Sequence, residues 1–348
     1  MEHQLSHTDT ILLHDMERFV MSRAIGFIYL YPARAIIRRF GKEGEKAIRR
    51  ACREFGKYRG ERWKAWHMEL GLPNNLESFA TFNDTGSTQA CGCFGPDMIL
   101  TPYYTEFTAK HCPLHTTCQE QDFESEGYIY CDEMHLELLK GYNPAGVLEI
   151  HENLMKGDDG CHFMVVLPKE RAEVQVDKSK IEAMLQEVRK NPVEYQRLML
   201  KREGLFMGML YYFITRTAIE RFGREAQEAI TASLLEMGKK RGQELKERLR
   251  KATTQPPWEN IWDHFDLAYK YSWGMKQEKV SDDRSFQAIV ESCPLAEIWK
   301  ELGDKDIGPA YCDTQYTTMF KELNGQAEIT IPRCLSKGDT QCRFEFRI

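Results

Sequence analysis

The chain has 348 residues, a formal net charge of −6, 42% hydrophobic and 29% charged side chains. This length and composition suit an ordinary globular protein with a sizeable core, and the acidic balance gives no footing for nucleic acid or an anionic membrane as partner. No apolar run reaches the roughly 18–20 residues of a membrane span, and the polar, His-rich stretch 1–15 is unlike a signal peptide, so the expected compartment is the cytoplasm.

Read from the amino terminus, residues 27–66 carry apolar side chains at helical spacing (Ile36, Phe40, Ala47, Ile48, Ala51, Phe55), which predicts helices. Their stretch from Phe40-Gly41-Lys42-Glu43 to Lys57-Tyr58-Arg59-Gly60 returns 182 positions later, from Phe222-Gly223-Arg224-Glu225 to Lys239-Lys240-Arg241-Gly242. The same helices are therefore expected over 209–250, each ending in a Lys/Arg-rich turn. A variable middle follows, where Cys91-Gly92-Cys93, flanked by Gly86 and Gly95, reads as a loop without counterpart that could line a pocket.

Further on, Cys112-Pro113-Leu114 matches Cys293-Pro294-Leu295, with each proline placed where a first helical turn tolerates it. A short strand is expected into Tyr130-Cys131-Asp132 and into Tyr311-Cys312-Asp313, with a helix beginning near each aspartate. Two strands around Lys156-Gly157-Asp158 and Lys337-Gly338-Asp339 close each copy. The first alternates Leu148, Ile150, Glu152 against Glu149, His151, Asn153. The expected organisation is two tandem α+β domains, 8–170 and 200–348, joined by a linker helix at 171–199 (Ile181, Met184, Leu185, Val188). Each is a set of helices on an antiparallel sheet, and the pair forms a fused pseudo-dimer.

Several of these motifs in this order resemble the L-2-amino-thiazoline-4-carboxylic acid hydrolase family: a helical Phe-Gly segment, Cys-Pro-Leu, the Cys-Asp dipeptide and a Gly-Asp-x-x-Cys-x-Phe ending. The resemblance covers most of both halves, and the tandem arrangement departs from the family's single domain. It implies a ring-opening hydrolase in which water adds to an electrophilic ring carbon of a small cyclic substrate, a cyclic amidine or amide or a cyclic 1,3-diketone. A more distant likeness is to the 4-vinyl-reductase-type ligand-binding domain, which implies the alternative of a sensor module with a structural zinc near Cys334 and Cys342.

Comparing the copies localises the expected chemistry. His111, His115, His135, His151 and His162 face Ser292, Ala296, Tyr316, Pro332 and Arg343, so the first repeat alone keeps imidazoles there. Histidine serves both proton transfer near neutral pH and metal ligation, which makes the first repeat the expected catalytic copy and the second a structural one. Helical spacing gathers Cys131, Asp132 and His135, and strand alternation is expected to put Glu149, His151 and Cys161 on one sheet face. If these meet, Cys131, His135, His151 and Cys161 offer enough donors for a three-ligand divalent metal, expected to be zinc, with one position open to water. A metal-free alternative makes Cys131 a nucleophile activated at a helix amino terminus.

Tyr104, Phe107, Tyr128 and Tyr130 would suit a flat ring, with Tyr104, Tyr128 and Tyr130 the expected binding residues. Each of these assignments has a structural rival. The eleven cysteines, an odd number, can pack the core as small apolar groups. Asp132 can cap a helix, Glu152 and His162 can be solvated, and the aromatics can be core. A homodimer of the whole chain is also open.

Overall fold

The computed structural model describes residues 22–84, 97–173, 179, 183, 186, 190–251, 261–270, 272–279 and 285–347. Cys91-Gly92-Cys93 and the linker positions Ile181, Met184, Leu185 and Val188 lie outside them. The chain divides into two compact units: Glu45–Met199 with the residues before Phe27, and Leu200–Ile348 with Phe27–Gly44. The segment 27–44, expected with the first repeat, thus belongs to the second unit.

Helix α1 (Ser22–Glu69) is broken at Gly41, whose φ of 55° and ψ of −133° no helical residue adopts. Between α5 (Pro192–Phe222) and α6 (Arg224–Lys251), Gly223 has φ 61°. The repeated Phe-Gly is therefore a helix break, made where only glycine takes positive φ without steric cost. In the second unit Phe40 stacks on Phe222 with ring centroids 4.0 Å apart. Arg39 pairs with Glu225 at 3.0 Å, and Arg221 pairs with Glu43. These contacts are reciprocal, because each joins a residue to its partner's repeat equivalent.

The first unit continues with α2 (Leu76–Thr81), β1 (Ile99–Leu100), β2 (Tyr104–Ala109), α3 (Pro113–Gln119), α4 (Glu124–Tyr142), β3 (Val147–Glu152) and β4 (Cys161–Val166). Its sheet is antiparallel in the order β1-β2-β4-β3. The second unit repeats this after α6. It has β5 (Met275–Lys279), β6 (Ser285–Val290), α7 (Pro294–Glu301), α8 (Ile307–Tyr311), a π turn at Cys312–Tyr316, α9 (Thr317–Leu323), β7 (Glu328–Arg333) and β8 (Cys342–Arg347). The sheet order is again antiparallel, β5-β6-β8-β7. The α+β duplication is as expected, and among the described residues no helix is long and apolar enough to cross a membrane.

One local expectation is corrected. No strand enters Tyr130-Cys131-Asp132: α4 begins at Glu124, with Glu124 and Glu126 in its first turn favouring the positive end of the helix dipole. The adjacent Tyr128, Ile129 and Tyr130 mimic a strand in sequence, but burial at Gly127, Tyr130, Cys131, Met134 and Leu138 follows the helical period. The opening helices run to Glu69 and Lys251, close to their expected ends, and α6 closes on Arg248, Arg250 and Lys251. Arg59 and Arg241 lie inside them, 5% and 2% exposed.

The glycines beside those arginines allow close helix packing. A methyl group on Gly60 would meet the Leu138 carbonyl oxygen and lie 2.8 Å from the Tyr142 nitrogen; one on Gly242 would meet the Met319 carbonyl. Alanine would gain about 1 kcal/mol in helix propensity but force α1 off α4. Gly60→Ala is expected to lower stability by about 2 kcal/mol, read as a lower urea midpoint. An unchanged or higher midpoint would show that the helices part at no cost.

Candidate active site on the core face of the first repeat

The pleat of the first sheet separates the expected site residues. On β2 and β4, Phe107, Ala109, Cys161 and Phe163 point into the core, where they pack together with Leu154. Tyr104, Glu106 and His162 take the opposite face. On β3 the register slips between Ile150, opposite Phe163, and Glu152, opposite His162, which makes His151 the extra residue of a bulge. His151 is exposed beside Glu149 (3.4 Å) and His162 (ring centroids 5.4 Å apart). Glu149 and His151 therefore do not share a face with Cys161; they share one with His162, expected only as a solvated residue.

This division also separates the expected zinc ligands, with Cys131, His135 and Cys161 on the core side and His151 on the other. Among the described residues, no group of three or more His, Cys, Asp or Glu is placed to hold a metal ion. The donor set therefore does not fit a shared metal.

On the outer face a hydrogen-bonded chain remains. Tyr104 Oη donates to Glu106 Oε2 (2.5 Å), and Glu106 Oε1 meets His162 Nε2 at 2.9 Å. The Tyr104 and His162 hydrogen bonds hold the Glu106 carboxyl below its usual range. At the matched positions the second repeat has Ser285, Gln287 and Arg343.

On the core side, α4 supplies Tyr130, Cys131 and His135, the last two one turn apart. The His135 ring meets Phe163 edge to face at 5.2 Å and Tyr130 at 6.2 Å, while Phe107 stacks on Phe163 at 5.0 Å. Among the described residues neither His135 ring nitrogen has a hydrogen-bond partner. His67, by contrast, is tied at both nitrogens, to Tyr142 Oη (2.9 Å) and the Phe82 carbonyl (2.6 Å). Burial, reinforced by the Arg59 charge, lowers the His135 pKa to about 4, so its imidazole is neutral at pH 7.

Cys131 sits in the third turn of α4, away from the helix amino terminus. Burial first, then the neighbouring Cys112, Cys161 and Cys118, push its thiol well above the usual range, so it is no preformed thiolate. Asn153, which stands where the second repeat has Cys334, acts against that rise. Asp132 and Tyr128 lie at the surface: Tyr128 Oη donates to Asp132 (3.1 Å), and Arg49 pairs with Asp132 at 2.8 Å. Asp132 is too far along α4 to cap it.

The two core faces are filled differently. His135, Phe107 and Phe163 are half-buried, whereas their equivalents Tyr316, Ala288 and Phe344 are 1%, 0% and 2% exposed. In the second repeat Trp262, Phe265 and Tyr269 pack against Tyr316, Phe320 and Phe344, and aromatic rings close the face.

The histidine has a thermodynamic consequence. Its folded pKa lies below the ordinary value near 6.5, so from about pH 6.5 down to 4 the unfolded chain binds the extra proton and stability falls with pH. The loss reaches up to about 3 kcal/mol. Urea unfolding from pH 7 to 4 should show a shallower slope for His135→Gln; equal slopes would show that the ring is solvated and titrates normally.

Sequence reasoning missed Arg59 and Asp84. They form a buried pair, Nε to Oδ2 at 2.9 Å, beneath this face. The signal was present, since Arg241 and Asp266 recur with the same separation of 25 residues.

Fold and site together define a duplicated α+β protein with one aromatic-filled copy and one histidine-bearing copy. The family model L-2-amino-thiazoline-4-carboxylic acid hydrolase matches residues 18–165 and again 202–346, and the chain belongs to that hydrolase family. No curated protein and no solved structure matches the chain.

Proposed function

We propose that the first repeat hydrolytically opens a small, flat heterocycle of the cyclic-amidine class, as the family's name suggests, on the face formed by His135, Phe107, Phe163 and Tyr130. Water adds to the ring carbon between the heteroatoms, and His135 takes its proton. The imidazolium returns that proton to the ring nitrogen, and the tetrahedral carbon then collapses: its bond to one ring heteroatom breaks, and the added hydroxyl becomes the carbonyl and gives its proton to that heteroatom, leaving an open-chain carbamoyl product. The aromatic side chains hold the ring, and the Cys131 thiol and Asn153 border the site as neutral hydrogen-bonding groups.

What supports this reading above all is His135, a neutral imidazole among aromatic rings with both nitrogens unengaged among the described residues. The outer chain of Tyr104, Glu106 and His162 supports a second location for the same chemistry, because it too occurs in the first repeat alone.

The test is hydrolysis of 2-aminothiazoline-4-carboxylate followed by product mass, with the wild-type chain and His162→Ala. Turnover retained in His162→Ala supports the core face, and its loss moves the reaction to the outer face. Ring binding without any product would make the protein a binding module.

A further inference from the structure

The proposed reaction leaves one cluster of nucleophilic side chains unused, in the second repeat. Three buried thiols, Cys312, Cys334 and Cys342, meet under the turn joining β7 to β8. Cys342 Sγ lies 3.9 Å from Cys334 Sγ. Ser336 Oγ stands 3.1 Å from Cys334 Sγ and 3.6 Å from Cys312 Sγ. The Leu335 amide donates to Cys342 Sγ at 3.2 Å, and the Cys334 amide donates to Asp339 at 2.7 Å, so the backbone holds both cysteines facing one another across the turn.

The first repeat has the same turn, with Leu154 donating to Cys161 at 3.3 Å and Asn153 to Asp158 at 2.7 Å, but it lacks the second sulfur. Hydrogen bonds from Cys312 and Cys342 hold the Cys334 thiol well below its usual range, against the effect of burial. The turn over the cluster is itself exposed, at Pro332, Arg333 and Lys337–Thr340. Brief opening of such a turn suffices to admit a small oxidant.

We propose that Cys334 and Cys342 form a hydroperoxide-reactive pair that closes the β7–β8 turn with a disulfide. Cys334 sulfur attacks one peroxide oxygen, the O–O bond breaks, and the other oxygen leaves as water, giving a sulfenic acid. Cys342 sulfur then attacks Cys334 sulfur and displaces its hydroxyl as a second water. Two thiols and one hydrogen peroxide become one disulfide and two waters. The sulfurs need to close from contact to a bond of about 2.05 Å, which side-chain rotation can supply without unfolding the hairpin.

The experiment treats the full chain with about one equivalent of hydrogen peroxide, then blocks thiols in denaturant and maps peptides by mass. The expected result is a Cys334–Cys342 linked peptide formed at least about tenfold faster than oxidation of Cys131, in keeping with the 3.9 Å between the two sulfurs, which places a resolving thiol beside Cys334. Cys342→Ser should let a dimedone-type reagent trap Cys334 as its sulfenic acid. Cys334→Asn, which installs the first repeat's residue, should abolish the linkage. Oxidation of other cysteines with Cys334 still reduced, or a Cys334–Cys312 linkage, would overturn the proposal. The wild-type peptide map decides this even if a variant fails to fold.

Discussion

His135→Ala is expected to lower kcat for aminothiazoline carboxylate hydrolysis by roughly 100- to 10,000-fold, the usual contribution of a positioned proton acceptor. The loss should fall on kcat more than on KM, because the aromatic residues that would hold the ring remain. Folding should survive, since the ring makes edge contacts with Phe163 and Tyr130 but no hydrogen bond within the described protein. Activity should also fall as pH drops through about 4, where the imidazole becomes charged and cannot accept a proton. Arg59→Met would weaken that control, because the guanidinium is the charge that, after burial, keeps the imidazole neutral. Steady-state kinetics across pH checks this, and His135→Ala with wild-type kcat would remove the imidazole from the reaction.

Arg241→Ala is expected to cost about 3–5 kcal/mol of stability. Arg241 holds Asp266 through two hydrogen bonds of 2.5 and 2.6 Å, and its remaining nitrogen reaches Gln315 and Tyr311. Burial opposes ionisation of Asp266, yet Arg241 prevails and its carboxyl is held below the ordinary value. The pair's contribution is thus present above the ordinary carboxylate range and lost as pH falls through the lowered pKa. Removing the arginine alone strands a charge among aromatic rings. Arg241→Met with Asp266→Leu should recover most of the loss, because two apolar residues leave nothing unpaired. Urea unfolding of the single and double variants distinguishes these outcomes; equal losses would mean the arginine acts through packing alone.

The buried arginines show where local reading stops. Lys57-Tyr58-Arg59-Gly60 has the composition of a solvated turn, and contact with Asp84, distant in sequence, lets Arg59 be an interior residue. Cys131 shows the same limit: a Cys-Asp dipeptide suggests a helix start, but the start lies at Glu124, and the thiol is protonated within the core. His151 illustrates a third kind of limit. Strand alternation pairs it with Glu149, but which sheet face the two share is set by the register of β3 on β4, and Glu149 stands opposite Met164, on the face away from Cys161.

The sequence by itself determined the duplication, the α+β class, the family and the copy that keeps the histidines. Those follow from repeats at a fixed offset and from periodicities written between neighbouring residues. Only the tertiary structure decided which histidine stands on the core face, which cysteines meet and which charges are buried. Each of those depends on pleat parity, helix register and packing between segments far apart in the chain, where a shift of one residue reverses the outcome.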